Sequence, residues 1–484
     1  MPPRGRDAAT LRQRRVAEAA DDSADAEPSE STPELSRTSS SERLAELKYS
    51  SKVAFYPPSD RYWRIGGEWY DFENFDHPGG QHVLRIARDR FEDATYVFES
   101  HHMNYKRARA IIRKYRVPEM VVEPKKRPKK VELPGDAHTD SRLEADFVPE
   151  LLPDTSFYSV FRKRVAAHLK SVGCPGGEPT AECVALFWVN VLLFHLSCFA
   201  MWSTGEWKYT FPCALTGAWL GAFGHNWVHQ PRYYGMGWGL LTLDTVGFSS
   251  EAWYREHVLQ HHMYTNTPWD NHFKGTDPFL KTDPTAERTW VQAYVMPALH
   301  PLVLIFGVYG NWSLHSYELL MGREHFSVGK FILPLQFYLM TSKWGLAHGF
   351  GLMFASHAML SIYYFTIALM NHNAEHCHDV VERNKSKDWG VSQLHTSADF
   401  GLNSSFKQAI LYLGLNFHGV HHLCPKVDFC HHPQIQQILA ETAAEFGLTY
   451  HNEQTFMEVW WQMMRSFKTP KALFSEVFVY NGNL

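Results

Sequence analysis

Apolar residues come in blocks along this chain, and the blocks differ in period and length. Residues 1–46 are rich in Ala, Ser, Glu, Asp and Arg and nearly lack aromatics, a composition that predicts disorder. Residues 50–118 bring in Phe55, Tyr56, Tyr62, Trp63, Trp69, Tyr70, Phe72 and Phe75, followed by helical alternation. They predict a small folded α+β domain. Residues 119–154 carry the run Pro124-Lys125-Lys126-Arg127-Pro128-Lys129-Lys130 and read as a linker. From 155 to 475 the pattern is helical and strongly apolar. Residues 155–172 predict an amphipathic basic helix with Arg162, Lys163 and Arg164 near lipid headgroups. The stretches 184–202 and 209–224, then 328–344 and 347–370, predict four membrane spans, two pairs that each cross a hydrocarbon core of about 30 Å. Residues 291–309 are also apolar, but Pro297, His300 and Pro301 interrupt them, so they predict an interfacial or re-entrant piece.

Composition sharpens this outline. A chain of 484 residues implies two to three structural units. The net charge of −4 gives no reason to expect a nucleic-acid partner. Seven cysteines, odd in number and without a Cys-x-x-Cys pair, read as reduced packing residues on the cytosolic side. No apolar core follows Arg4, Arg6, Arg12, Arg14 and Arg15, so the N-terminal pattern is not that of a signal peptide and the first domain is expected in the cytosol.

Histidine placement carries the chemistry. Four clusters stand beside the apolar stretches: His225 with His229, His257 with His261 and His262, His372 with His376, and His418 with His421 and His422. Spacings of three and four place side chains on one helix face. Imidazole suits iron, copper and zinc. Four such faces meeting at a membrane surface form a cage for more than one transition metal. Sharing metals requires all four on one side, so an even number of spans must separate the second cluster from the third. Basic residues beside the clusters (Arg232, Arg255, Arg383, Lys385, Lys387) place that side in the cytosol. The sequence has no His-Glu-x-x-His, so it lacks the zinc-protease motif. Isolated histidines (His195, His300, His315, His348, His357) read as hydrogen-bonded core residues. His272, His378, His395, His431 and His432 are candidates for orienting the ligands, as are Glu256 and Asp277.

A second motif lies upstream. His77-Pro78-Gly79-Gly80 follows the aromatic stretch, and Asp93-Ala94-Thr95 and Phe98-Glu99-Ser100-His101-His102 come after it. Two histidines in an apolar pocket can clamp a haem from both faces. Such a haem has no open position and transfers electrons.

Residues 50–118 resemble a cytochrome b5 domain. That likeness makes His77 the first haem ligand and His102 the second, with His101 its competitor. The histidine clusters resemble those of the membrane fatty acid desaturases, and the fused haem domain narrows the likeness to the front-end type. It covers about 55–475 and rests on Gly224-His225-Asn226-Trp227-Val228-His229, on Arg255-Glu256-His257 through Tyr264-Thr265-Asn266, on Trp389, Gln393 and Thr396-Ser397, and on Leu415 through Pro425. The resemblance implies two non-haem irons held by His225, His229, His257, His261, His262, His376, His418, His421 and His422, with no catalytic residue beyond these ligands. His372 occupies a place that is polar in related acyl-CoA desaturases and meets iron directly or through water. Two departures stand out. Three residues separate His257 from His261 where front-end enzymes usually have two, and His418 replaces a usual Gln.

The implied fold is multi-domain: a small α+β haem domain, then an all-α four-span desaturase domain with a cytosolic di-iron cap. The implied activity is insertion of a cis double bond into a long-chain unsaturated acyl chain, on coenzyme A or a glycerolipid. It consumes dioxygen and electrons from NADH, passed by cytochrome b5 reductase to the fused haem b in the endoplasmic reticulum. A tether raises the haem's effective concentration at the metals. Two rivals stay open at this point: a sphingolipid long-chain-base desaturase or acyl hydroxylase, and a non-catalytic haem electron carrier.

Overall fold

The computed structural model describes residues 59–119, 151–230, 237–321, 326–379, 386–402 and 411–468, apart from short gaps within them. The expected disordered stretch 1–46, most of the linker 119–154, and Arg232, Arg383 and Lys385 lie outside the described residues.

Trp63–Ile65 (β1) and Glu68–Tyr70 (β2) pair antiparallel, Trp63 opposite Tyr70. Gly66 and Gly67 between them have φ of 60° and 76°, the left-handed pair that a two-residue hairpin turn requires. Arg116–Val117 (β3) pairs with β2 and completes a three-stranded sheet. Gln81–Arg90 (α1), Thr95–His101 (α2) and Tyr105–Ile112 (α3) lie between β2 and β3 in sequence. Trp63, Ile65, Tyr70, Phe72, Leu84 and Ile112 are buried in the core. The Asp93-Ala94-Thr95 motif acts as a local tie: Asp93 accepts the Gly67 N–H at 3.0 Å and the Thr95 N–H at 2.9 Å, joining the hairpin turn to the start of α2.

The remainder is helical. Phe157–Ser171 (α4) opens on Ser156, whose hydroxyl accepts the Ser159 N–H. Phe157, Phe161, Val165 and Leu169, spaced by four, form one buried stripe. Here the structure departs from the expected headgroup helix. Arg162 is fully buried and pairs with Glu99, while Arg164 pairs with Glu445 at 2.7 Å. The apolar stripe is buried in the protein core and Arg162 is buried with it.

Ala181–Thr204 (α5) starts at Thr180, which accepts the Cys183 N–H, and ends at Gly205 in the left-handed region. Thr210–Val228 (α6) follows at once. Beyond lie Gly307–Leu320 (α7), Ile332–Trp344 (α8, preceded by a tight turn at Val328–Phe331) and Leu346–Asn373 (α9). α6 packs against both α5 and α9, and α8 lies along α9. Among the described residues, two helices, α5 and α9, are long and apolar enough to cross a bilayer. At 1.5 Å per residue their 24 and 28 residues reach about 36 and 42 Å. Leu186, Trp188, Val189, Leu192, Leu193, Leu196 and Phe199 of α5 are exposed, an apolar surface far too continuous for water. The interrupted 291–309 segment is broken, as Pro297 and Pro301 require, into Val291–Val295 and His300–Leu304; α7 then runs on past it. Trp389–His395 (α10), His418–Leu423 (α11), His432–Glu445 (α12) and Phe456–Lys468 (α13) complete the described helices relevant to the site. α12 packs on α4 and α13 on α9.

Candidate metal centre

The first histidine box is the last turn of α6 and the residue after it. Gly224 precedes it, and a Cβ there would meet Thr242 Oγ1 at 2.7 Å and Leu243 Cγ at 2.8 Å, so only glycine lets α6 approach that segment. Asp428, itself buried, fixes the same turn: its Oδ2 accepts from Asn226 Nδ2 (2.8 Å), Trp227 Nε1 (3.0 Å) and Gln230 Nε2 (3.3 Å). Its Oδ1 is taken by the Cys430 N–H and the Cys183 thiol. This carboxylate is therefore a structural hub. Its neighbours Cys183 and Cys430 complete a three-ligand group only on paper, since both oxygens are already engaged.

The second box lies on a wide turn, Tyr254–His261, where hydrogen bonds run from residue i to i+5. His262 N–H still reaches the carbonyl of His257. Wide turns absorb an extra residue and recur at functional sites. That geometry takes up the third residue between His257 and His261, and the two rings lie 5.1 Å apart and nearly parallel. The fourth box is α11, with His418, His421 and His422 all buried.

Nine imidazoles converge into two adjoining sets. His225, His229, His257, His262 and His421 form one, and His261, His372, His418 and His422 the other; within each set the ligand atoms all lie within 4.8 Å of one another. The His262 and His422 rings stack at 4.1 Å where the sets adjoin. His376 joins neither. Its Nε2 faces the Ser397 carbonyl at 3.2 Å and its ring stacks on His451 at 4.1 Å. The reason is backbone: α9 ends at Asn373, so His376 falls in the turn beyond it, while His372 is still on the helix and points with α9 into the cage. The third box thus contributes His372 where the sequence favoured His376. His418, the departure from Gln, lies 2.7 Å from His372 through their Nε2 atoms.

Proton placement shows that these sets fit metal ions. His261 Nδ1–H donates to Asp270 Oδ2 (2.8 Å), His372 Nδ1–H to the Thr396 carbonyl (2.9 Å) and His422 Nδ1–H to Gln393 Oε1 (2.8 Å). A neutral imidazole has one N–H, so each of these rings presents a bare Nε2. Burial pushes His261 down to about 3, so it is neutral. Yet the Nε2 atoms of His261 and His372 are 3.0 Å apart. Two bare lone pairs at that distance repel unless a cation lies between them. Elsewhere in the cage both ring nitrogens of His229 and Nε2 of His421 are buried without a hydrogen-bond partner; leaving such a nitrogen bare costs about 1–3 kcal/mol, and a bound cation would relieve one nitrogen of each ring. Burial, and then the neighbouring imidazoles, also hold His257, His262, His418, His421 and His422 well below the usual histidine range, in the neutral form that binds metal.

Asp270 was not anticipated; Glu256 and Asp277 were the expected acids. The available signal was its position eight residues after His262, with His272 beside it. His272 Nδ1 lies 3.4 Å from His257 Nδ1. Glu256 instead lies 3.8 Å from His315, and Asp277 pairs with Lys281. His431 and His432 face the carbonyls of Glu178 and Val427. Four of the isolated histidines face hydrogen-bond acceptors or a hydroxyl: His195 (Val191 O), His300 (Pro297 O), His348 (Gly205 O) and His357 (Tyr309 OH).

At the upstream site the His77 and His102 rings oppose each other, 5.9 Å between centroids. His102 Nδ1–H donates to the Phe98 carbonyl at 2.8 Å, leaving Nε2 free. His101 turns to Val97 O and Ser100 Oγ. Burial lowers His77 and takes His102 to about 3, so both rings are neutral. His77 Nδ1 accepts the Gly79 N–H at 3.0 Å, which puts the proton of that neutral ring on Nε2, so of the two rings His102 is the one with a bare Nε2; Phe75 and Phe98 flank the pair.

Residues 206–454, a little over half of the chain, match the model of the family described as fatty acid desaturase. The chain belongs to the fatty acid desaturase family. Its members are oxidoreductases, and the histidine sets are compatible with a non-haem di-iron centre. The similarity extends well beyond the matched region. An acyl-lipid (8-3)-desaturase of Physcomitrium patens is 26% identical over 450 residues, covering 84% of this chain and 87% of that protein. The acyl-lipid (8-3)-desaturase B of Dictyostelium discoideum is 24% identical, covering 79% and 84%. A cytochrome b5-related protein of Drosophila melanogaster is 23% identical, covering 79% and 83%.

Proposed function

We propose that this desaturase is a front-end acyl-lipid desaturase that inserts a cis double bond between an existing one and the carboxyl end of a lipid-linked acyl chain. The observation that carries the reading is the pair of bare Nε2 atoms on His261 and His372, held 3.0 Å apart by Nδ1–H bonds to Asp270 and Thr396. The names of relatives similar across most of the chain support acyl-lipid substrates and front-end position. Nine neutral imidazoles weigh against a carrier of electrons alone.

One iron would be held by His225, His229, His257, His262 and His421, and the other by His261, His372, His418 and His422. When bound, the two irons supply dioxygen activation strong enough to take hydrogen from an unactivated methylene. The chain's own residues do the rest. Asp270, Gln393 and the Thr396 carbonyl fix the tautomers, so each ring offers Nε2. Burial keeps protons off the imidazoles. Four spans, α5 with α6 and Val328–Trp344 with α9, put every box on one face, the cytosolic side of the endoplasmic reticulum, and His300–Leu304 and α7 lie at the interface. His77 and His102 would hold haem b, which would supply one-electron transfer from NADH by way of cytochrome b5 reductase.

The test is expression in a host without polyunsaturates, feeding of candidate acids, and analysis of lipid classes for new double bonds. A new bond on the carboxyl side of an existing one is expected. A hydroxylated product, or a product confined to long-chain bases, would replace this reading.

A further inference from the structure

The haem-domain elements are not loosely tethered. They are fixed to the rest of the chain by a buried ion pair. Glu99, on α2, is 1% exposed, and its Oε2 lies 2.6 Å from Nη2 of the fully buried Arg162 on α4. Arg162 Nη1 also donates to the Glu99 carbonyl at 2.7 Å. Arg109 on α3 supplies a second cation, at 2.9 Å. The Arg162 guanidinium lies 4.3 Å from the ring centroids of both Tyr105, on α3, and Tyr158, on α4. One side chain is thus clamped between the two bodies. The residue after Glu99, Ser100, places its Oγ 4.0 Å from Met263 Sδ. Ser100 is adjacent in sequence to His101 and His102, and Met263 to His262. Phe91 stacks on Tyr264 and Tyr96 lies against Trp389, extending the contact on either side.

Burying unit charges is costly unless they stay paired. A surface used for brief collisions would leave such charges wet and exchangeable. A charge pair with no access to water is the mark of a contact that stays made. We propose that Glu99 and Arg162 are positioning residues that keep the haem domain permanently docked, so that Ser100 and Met263 form the passage for electrons into the metal cage. The proposal rests on the functional reading above. In the transfer one electron leaves the ferrous haem, which becomes ferric, and reduces one iron of the cage from ferric to ferrous. No bond forms or breaks, and NADH, through the reductase, restores the haem.

The test uses the full chain in membranes with Ser100→Cys and Met263→Cys. Mild oxidation should join the two peptides, read by mass spectrometry under non-reducing conditions. Adding Glu99→Gln should lower the yield by more than about tenfold, and Glu99→Asp should restore it in part. In the chain without the two added cysteines, Glu99→Gln should slow reoxidation of the reduced haem in a single turnover while leaving its midpoint potential unchanged. Because Arg162→Met can fail to fold, Glu99→Gln is the deciding variant, and the haem absorption band reports its integrity. No cross-link in the otherwise native chain, or an equal yield with Glu99→Gln, overturns the proposal. Failure of the functional reading looks different: the cross-link forms and responds to Glu99→Gln, but there is no haem band or desaturated product.

Discussion

The histidine cage and the upstream pair proposed to hold haem use the same side chain in opposite ways. The cage gathers nine histidines from α6, the wide turn after it, α9 and α11, between positions 225 and 422, and seals eight of them almost completely. The upstream site proposed for haem pairs two histidines 25 positions apart, each partly exposed. In the cage every ring depends on where another element ends. In the haem site the spacing along one short stretch suffices. The difference predicts independent failure. His262→Ala removes a ligand that touches both sets, so product formation and non-haem iron should be lost while the haem band persists. His102→Ala should do the reverse, abolishing the haem band with the iron retained, and His101→Ala should leave both. Metal analysis and absorption spectra of the purified variants check all three; joint loss of haem and iron from either single change would break the comparison.

The next effect separates two neighbours. His372→Ala removes a ring 2.7 Å from His418 and 3.0 Å from His261 and should release iron from the four-histidine set. His376→Ala removes a ring that meets Ser397, Cys377 and His451 outside both histidine sets and should keep the iron and most of the activity. Iron bound per chain decides it. Outer support should matter less. Asp270→Asn keeps the shape but weakens the hold on His261 Nδ1–H, and changes of this kind lower metal affinity or activity by about 10–100-fold. Titration with a competing chelator measures it; an unchanged affinity would remove Asp270 from the site.

The contrast also explains what the sequence made legible. The boxes, the HisProGlyGly turn and the apolar stretches are local patterns, and the helices α5, α6, α8 and α9 fall close to where those patterns placed them. What stayed hidden depends on geometry between distant residues. Two histidines four apart read alike until the end of α9 at Asn373 separates them. Asp270 looked like any loop acid until His261 came within 2.8 Å. Arg162 and Arg164 read as equivalent members of a basic face, because sequence carries no mark of the Glu99 carboxylate that draws one inside.

Those two arginines give the finest comparison. They lie two positions apart on α4, and each pairs with a glutamate at a similar distance, 2.6 and 2.7 Å. Distance does not set the value of a pair; exclusion of water does. Arg162 and Glu99 are both sealed, so removing one partner strands a buried charge and costs about 3–5 kcal/mol. Arg164 is 36% exposed and Glu445 55% exposed, so solvent screens them and their pairing is worth far less than the sealed one. Glu445→Ala should therefore shift the melting temperature by less than about 2 °C and leave haem reoxidation untouched. Glu99→Gln, by the same measurement, should lower it visibly. Equal shifts would mean that water reaches the inner pair, and the docked arrangement would lose its physical basis.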